Sequence, residues 1–479
     1  MKNTRFTAVW YTPFVILVLV SLALAGCAPA AATTPAPTSA PAATSAPAAT
    51  SAPAATSAPA ATSAPAATAA ATSAPAAGQP VTLTFYYPVA VPGPITQLIN
   101  GYIQKFEAAN PDIKVNAVLS GGYPDTLTKI QTTIKGGGTP PDVAVLLSTD
   151  LYSLVDSNAI QPLDSFIQSS GGDSFTSDFY PAYMANSKYQ NHIWSLPFQR
   201  SIPVLYYNKD MFKAAGINDS KGPANYQEMV ADAQKLTKPD GSTWGIEISS
   251  DGIPYWLFQS FVIGNGSNVF TAPNKVTFDT PEVEKALQDF SDLSNKYKVM
   301  PTGILLWANM PNDFVNGKAA MIWHSSGSLA NILKQAKFNV GVGDTVGEKG
   351  YGAPTGGGNM YIMKGIPADH QAAAWKFIQF MTSTDIQADW SINTGYVASR
   401  QSSYNTQAMK DYLAKTPQAA VAPEGLKYAG PELATHDNAQ IQKFLGDAVQ
   451  SVLTGKSSVA DALKAAQQQA DQVLSQFPD

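Results

Sequence analysis

From residue 81 onward the sequence alternates between strand-type and helix-type patterns, and this order restricts the fold more than any other feature. Residues 81–87 are rich in β-branched and aromatic side chains, which predicts a strand. Apolar residues at three-four spacing over 95–106 predict an amphipathic helix. A strand at 113–118, a helix at 127–134 and a buried strand at 143–147 follow. This order predicts an α/β fold with a mostly parallel sheet covered by helices.

The same alternation continues through the second half of the chain. The patterns predict strands and helices in turn, at 204–208, 226–236, 281–297, 319–323, 338–342 and 372–381. Two long helices close the chain, the last of them with Ser458 as its N-cap. About 400 residues of such sequence exceed one comfortable hydrophobic core, so we expect two lobes.

The first residues carry an export signal. Lys2 and Arg5 precede an apolar run that ends in the sequence LAGC at residues 24–27, which looks like a bacterial lipobox. The run is shorter than the roughly 20 apolar residues of a transmembrane helix. We interpret residues 1–26 as a lipoprotein signal peptide and Cys27 as the acylated first residue of the mature chain. The alternative is an uncleaved signal anchor with an incidental cysteine.

Residues 27–79 consist almost entirely of Ala, Pro, Thr and Ser. The hexad Thr-Ser-Ala-Pro-Ala-Ala runs five times in succession from Thr38 to Ala67. Such a segment buries too little apolar surface to offset the entropy of ordering, and frequent proline prevents a helix. We expect a disordered stalk, whose hydroxyl side chains are either O-glycosylated or unmodified.

Composition excludes several kinds of partner and chemistry. The formal net charge is -5 without a basic cluster, which argues against nucleic acid as a partner. The single cysteine excludes an intrachain disulfide. The four histidines have no metal-ligand spacing, so we expect neither a metal nor another cofactor. Fragments similar to a phosphate-binding loop and to a nucleophile turn each lack a required glycine.

Three segments combine aromatic residues, glycine and small hydroxyl side chains. They cover residues 196–208, 324–343 and 356–396. Glycine lets backbone N–H groups approach a ligand, and a helix start adds further donors. Aromatic faces beside hydroxyl and amide donors suit a sugar or another polyol. The alternative is that these segments are turns and core.

In content and order these segments closely resemble the extracellular solute-binding proteins (family 1) of ABC importers, above all the glycerol-3-phosphate-binding and sugar-binding branch. The resemblance is most specific at 203–212, 325–343 and 377–396. It implies a two-lobed α/β fold of the periplasmic-binding-protein type 2, with a hinge of crossing strands and a ligand cleft between the lobes. Lobe one is then expected at 80–198 plus 362–398, and lobe two at 203–357 plus 400–479.

Only some of that family's ligand-binding residues have matching residues in this sequence. The matching positions are Tyr123, Ser201, Ser325, Gly357 and Tyr396. A family glutamate that grips glycerol hydroxyls falls on Ser148, and a phosphate-binding arginine falls on Gln442. Arg200 is the expected substitute cation, unless it forms a salt bridge or faces solvent at the hinge. Trp256 is expected to stack on a sugar ring, unless it belongs to the core.

Together with the lipobox-like sequence, the resemblance implies a lipid-anchored, non-catalytic protein of the cell envelope, on the outer face of the cytoplasmic membrane, and a monomer is the default expectation. It would deliver a sugar, a glycoside or a glycerophosphodiester to the permease subunits of an ABC importer. The loss of the glutamate and the arginine favours a neutral sugar over glycerol 3-phosphate. Two alternatives stay open. One is a surface glycoside hydrolase with paired carboxylates, and the other is a lipoprotein that presents its ligand to a membrane sensor.

Overall fold

The computed structural model describes residues 80–477, which belong to one compact unit of the chain. The predicted signal peptide, Cys27 and the stalk lie outside the described residues. Over the part that is described, no helix combines the length and the apolar character needed to cross a bilayer.

Two larger sheets organise residues 80–477. In chain order, their strands are β1 Val81–Tyr87, β2 Ile113–Leu119, β3 Val143–Leu147, β4 Leu196–Ser201, β5 Pro203–Asn208, β6 Glu247–Ile248, β7 Met321–Ser325, β8 Val340–Asp344 and β9 Gly356–Ile362. The first sheet has the order β2-β1-β3-β9-β4 and the second has the order β8-β5-β7-β6. Shorter strands form two-stranded ribbons at Lys188–Tyr189, His192–Ile193, Phe270–Ala272, Lys275–Val276, Ala353–Pro354 and Ala429–Gly430.

The strand directions only partly follow the prediction. β1 pairs in parallel with β2 and with β3, as the alternation predicts. In the second sheet β5 is antiparallel to both β7 and β8, so a mostly parallel sheet is wrong for that part of the chain. The reason is long-range pairing. β5 lies between β7 and β8, which follow much later in the chain, and a local alternation of strands and helices does not determine which distant strands become neighbours or in which direction.

Helices cover both sheets. The longer ones are α1 Ile95–Ala109, α2 Tyr123–Lys135, α3 Tyr226–Leu236, α4 Pro254–Gly264, α5 Pro281–Asn295, α6 Ala368–Met381, α7 Thr384–Thr394, α8 Gln407–Lys415, α9 Asn438–Leu453 and α10 Val459–Leu474. Shorter helices lie at Leu151–Asp156, Asp164–Ser169, Asp173–Thr176, Pro181–Met184, Lys209–Ala214, Met310–Val315, Leu329–Gln335 and Val421–Gly425. The predicted cap of α10 is confirmed, since the Ser458 hydroxyl accepts from the Asp461 N–H at 3.2 Å.

Each sheet has its own hydrophobic core. One cluster joins Phe85 of β1 to Phe377 of α6 and Trp390 of α7. A second cluster joins Leu205 of β5 to Trp323 of β7 and to the apolar faces of α4, α5, α9 and α10. Two cores, each around one sheet, give the two-lobed α/β fold that the resemblance implies.

The chain passes between the sheets at buried positions. β4 ends at Ser201 in the first sheet and β5 begins at Pro203 in the second. The Val397 N–H donates to the Arg200 carbonyl at 2.8 Å, which ties a third segment to this junction. β9 pairs wholly within the first sheet, including residues 358–361 that the predicted lobe limits leave between the lobes. The lobe limits themselves stay a prediction.

Candidate ligand-binding site

A cavity of about 260 Å³ lies where segments of both lobes meet. Its floor comes from the strand ends, with Ser201 from β4, Ser325 from β7 and Gly357 from β9. Its volume is near the lower end of the ~300–1,000 Å³ usual for small-molecule sites. The cavity therefore suits one small ligand rather than a long chain.

Six of the predicted ligand-binding residues line this cavity. They are Tyr123, Ser201, Trp256, Ser325, Gly357 and Tyr396. They come from separate regions of the chain, and the crossing strands bring them together. Their direct contact with a ligand stays a prediction.

The three consecutive glycines at the start of β9 let the walls of the cavity approach one another. A Cβ on Gly356 would overlap the Trp256 indole, and one on Gly358 would lie 2.8 Å from the Tyr123 ring. Gly357 has φ +92° and a Cβ there would overlap the carbonyl of Gln199 on the paired strand β4. These glycines are thus required by packing, in addition to any donor role towards a ligand.

Aromatic side chains form the walls. Trp256, in the first turn of α4, donates its indole N–H to the Thr355 carbonyl at 3.1 Å and is also part of the core of its lobe. Trp256 therefore belongs to the core and also lines the cavity, while its stacking on a sugar ring stays a prediction. Tyr396 stacks on Trp390 at 5.7 Å between ring centroids, so its ring is fixed before any ligand arrives.

The phenols of the cavity stay protonated. The Tyr123 hydroxyl donates to Gln199 Oε1 at 3.0 Å. Burial raises the pKa of Tyr123 well above its ordinary value, and burial likewise raises the pKa of Tyr396. Neutral phenols can donate and accept hydrogen bonds, which suits hydroxyl groups of a ligand.

Three predicted residues lie behind the cavity wall instead of lining it. Ser148 is fully buried and its hydroxyl has no partner. Gln442 donates from Nε2 to the Leu433 carbonyl at 3.0 Å and to Thr149 Oγ1 at 3.4 Å. Both positions, where the resemblance implies charged groups, carry neutral, buried side chains.

Arg200, the third residue, holds its cation within the protein. Its side chain is 0% exposed, and its guanidinium donates to Asn359 Oδ1 at 3.0 Å and to Asn186 Oδ1 at 3.4 Å. The guanidinium also lies over the Tyr183 ring at 4.7 Å. Among the described residues no carboxylate forms an ion pair with it, so neither the salt-bridge nor the solvent-facing alternative fits. Burial lowers the pKa of Arg200.

Glu432 is a cavity residue that the sequence analysis missed. It is 2% exposed, lines the cavity and accepts from the Tyr255 hydroxyl at 3.2 Å through Oε1. Its Oε2 has no hydrogen-bond partner. Burial raises the pKa of Glu432 to about 8, while the Arg200 cation and the Tyr255 hydroxyl act in the opposite direction. Trp307 and Tyr255 are further lining residues.

The lobes also touch each other beside the cavity. The Trp307 indole N–H donates to the Ala90 carbonyl at 3.1 Å. His436 Nδ1 lies 2.6 Å from Asp156 Oδ2, and the Asn438 N–H donates to Ser153 Oγ at 3.1 Å. The last two contacts join the Leu151–Asp156 helix after β3 to the segment at the start of α9.

The described residues offer no metal site, because no group of three or more His, Cys, Asp or Glu side chains among them is placed to hold an ion.

A sequence model of bacterial extracellular solute-binding proteins matches residues 101–419, about two thirds of the chain. The chain belongs to this family. The match includes the passage from β4 to β5 between the sheets and most of the residues that line the cavity.

Individual solute-binding proteins agree with this assignment. The sn-glycerol-3-phosphate-binding periplasmic protein UgpB of Shigella dysenteriae is 29% identical over 416 residues, 83% of this chain and 93% of that protein. The UgpB protein of Escherichia coli K12 is 28% identical over 417 residues, with the same coverage.

Solved structures share the fold. UgpB from Mycobacterium tuberculosis in complex with glycerophosphocholine has a TM-score of 0.73 at 22% identity, covering 83% of this chain and 99% of that one. Maltose-bound MalE3 of T. maritima has a TM-score of 0.71 at 22% identity, covering 82% and 100%. At this level of identity the two structures establish the two-lobed fold of the solute-binding protein, and nothing about its ligand.

Glu432 escaped sequence analysis because the family resemblance directed attention to Ser148 as the position of the acid. The sequence around Glu432 does contain one indication of its role. From residue 428 to 436, Glu432 is the single charged side chain in an otherwise apolar and small-residue segment. The ribbon of Ala429–Gly430 with Ala353–Pro354 places this segment beside β9, a contact between distant parts of the chain that no local pattern indicates.

Proposed function

We propose that this solute-binding protein is the receptor of an ABC importer and captures a sugar or a glycerol-3-phosphate-type solute in the cavity between its lobes. The observation that carries the proposal is the cavity itself, which residues of both lobes line together. A ligand held by both lobes favours the closed arrangement, and a closed receptor presents one shape to a permease.

Calorimetric titration tests this proposal. Residues 80–479 are used, since the described hydrophobic clusters lie entirely within them. The probes are maltose, tagatose, ribitol, glycerol 3-phosphate and glycerophosphocholine. We expect saturable one-to-one binding of at least one probe. A folded protein, shown by circular dichroism, that binds none of them contradicts the proposal.

A pair of variants links binding to the cavity. Tyr123→Phe removes a hydroxyl from the cavity wall, and we expect several-fold weaker binding of the probe that the parent protein binds. Tyr297→Phe removes a hydroxyl outside the cavity lining, and we expect unchanged binding. Equal affinities for both variants would show that the ligand lies elsewhere.

We also propose that the protein binds without catalysis. Hydrolysis of a glycoside needs two carboxyl groups facing the scissile bond, whereas Glu432 alone supplies a carboxyl group to the lining formed by the described residues. Incubation with chromogenic glycosides should release no chromophore. Turnover that disappears in Glu432→Gln would favour the hydrolase instead.

Membrane attachment through acylated Cys27, on the outer face of the cytoplasmic membrane, is proposed from the lipobox-like sequence. Family membership supports a place in the cell envelope. Labelling of cells with a radioactive fatty acid should mark the full chain and leave a Cys27→Ser variant unmarked. A monomer is proposed as the functional form, which size-exclusion chromatography with light scattering checks.

A further inference from the structure

One oxygen of the Glu432 side chain, Oε2, has no hydrogen-bond partner among the residues that the structure describes. This carboxyl group lines the cavity, is almost fully buried, and has only the Tyr255 hydroxyl as a partner, on Oε1. A buried polar atom without a partner is costly. A donor supplied by the ligand would remove that cost, and Glu432 is one of the residues that line the cavity.

The remaining lining determines which donors fit there. Among the described residues that line the cavity there is no Lys and no Arg. The nearest buried cation, Arg200, is engaged by Asn359 and Asn186 and does not line the cavity. A phosphate group would therefore meet a carboxyl group without a matching cation, whereas hydroxyl groups would meet an acceptor and aromatic faces.

We propose that Glu432 determines the specificity of the site, accepting a hydroxyl group of an uncharged sugar or polyol through Oε2 and disfavouring phosphate monoesters. This inference rests on the proposed function and narrows it to one class of solute. Ser148 does not line the cavity, whereas Glu432 lies on the loop before α9 and lines it. It reaches the cavity from the other lobe.

The protonation of Glu432 then depends on the ligand. Arg200, Asp150, Tyr123 and Tyr255 are the charged or titratable groups around it. In the empty cavity burial holds the pKa of Glu432 at about 8. Hydroxyl donors favour the ionised carboxylate, so binding should release protons. Affinity for an uncharged ligand should accordingly rise between about pH 6 and pH 8 and then level off.

The test compares Glu432→Gln with Glu247→Gln in the 80–479 protein. Glu247 is a matched control, because it is also buried, also has an Oε2 without a partner and also has a raised pKa, yet lies outside the cavity lining. Probes are ribitol, tagatose and maltose as uncharged ligands, glycerol 3-phosphate as the phosphate monoester, and glucosamine as a cationic sugar. Titrations run at pH 6, 7 and 8, in buffers of different ionisation enthalpy to count protons.

We expect the parent protein and Glu247→Gln to bind one uncharged probe more tightly than glycerol 3-phosphate, with proton release and rising affinity towards pH 8. Glu432→Gln should bind that probe about tenfold or more weakly and without the pH dependence. The inference is overturned if Glu432→Gln matches the parent, or if glycerol 3-phosphate or glucosamine binds best. The first of these results leaves the proposed function intact, while binding of no probe by the parent refutes both.

Discussion

A substitution at Gly357 tests whether the close approach of β4 and β9 at the cavity floor is required for stability and binding. In Gly357→Ala the new Cβ would overlap the Gln199 carbonyl oxygen and lie 3.0 Å from its carbon. The backbone there also has φ +92°, which an L side chain rarely adopts. Strain of about 1–3 kcal/mol for the dihedral adds to about 1–3 kcal/mol for overpacking. We expect a loss of about 2–6 kcal/mol in the free energy of unfolding.

Gly365 provides the matched control. Its φ is +88°, close to that of Gly357, but a Cβ added there meets nothing within 4 Å. Gly365→Ala should therefore carry only the dihedral cost, about 1–3 kcal/mol. Urea unfolding of the parent and both variants, followed by tryptophan fluorescence, gives the difference directly. Calorimetric titration of the same proteins should show weakened ligand binding for Gly357→Ala alone, because Gly357 is part of the cavity lining.

Equal losses of unfolding free energy in Gly357→Ala and Gly365→Ala would contradict this prediction. Such a result would mean that β4 and β9 separate freely when a methyl group is inserted, and that the short distance between them is not required. If Gly357→Ala kept the stability and the ligand affinity of the parent protein, Gly357 would not be needed to form the site.

Three further predictions concern the buried charge and the contacts between the lobes. Asn359→Leu removes an acceptor of the Arg200 guanidinium and should cost about 2–4 kcal/mol in urea unfolding, because a buried cation loses a partner; a cost below 1 kcal/mol would contradict this. Burial raises the pKa of Glu432 to about 8 and that of Asp150 to about 7. The folded, unliganded protein then retains protons that the unfolded chain loses, so its stability should fall from about pH 5 to pH 8, and less steeply in Glu432→Gln. Trp307→Phe loses the indole bond to the Ala90 carbonyl and should weaken ligand binding about three- to tenfold. Trp194→Phe, which loses a bond to the Tyr189 carbonyl away from the cavity, should leave binding unchanged.

Local patterns predict the regular elements of this fold well. The strands at 81–87 and 143–147 and the helix at 226–236 have the predicted bounds. The strand predicted at 319–323 lies at Met321–Ser325 instead, shifted towards the residues that form the cavity floor. The shift reflects pairing with β5 in register from Met321 to Ser325, which is a long-range interaction that no window of sequence contains.

Local sequence patterns missed two elements of the site, for opposite reasons, although the family resemblance implies a crossing strand near 357–363. α4 is apolar on all sides and nearly all of its residues are buried, so it lacks the amphipathic period that identifies a helix. β9 begins with three glycines, which are unfavourable in strands. It nevertheless pairs on both edges, because the glycines admit Tyr123 and Trp256 against it. The positions that depart from local preference are those that build the cavity.

The contacts between the lobes are weak enough for a receptor that must open. Trp307 to Ala90, His436 to Asp156 and Asn438 to Ser153 are single hydrogen bonds near the edge of the cleft, each worth about 0.5–1.5 kcal/mol. Asp156 is partly exposed, so solvent further weakens its pair with His436. Gln442, which donates to Thr149, adds a further contact of the same kind. Under the proposed function, a ligand that donates to the free oxygen of Glu432 would satisfy a group that has no partner in the empty cavity. This difference between states is what a ligand needs in order to shift the equilibrium towards the closed form.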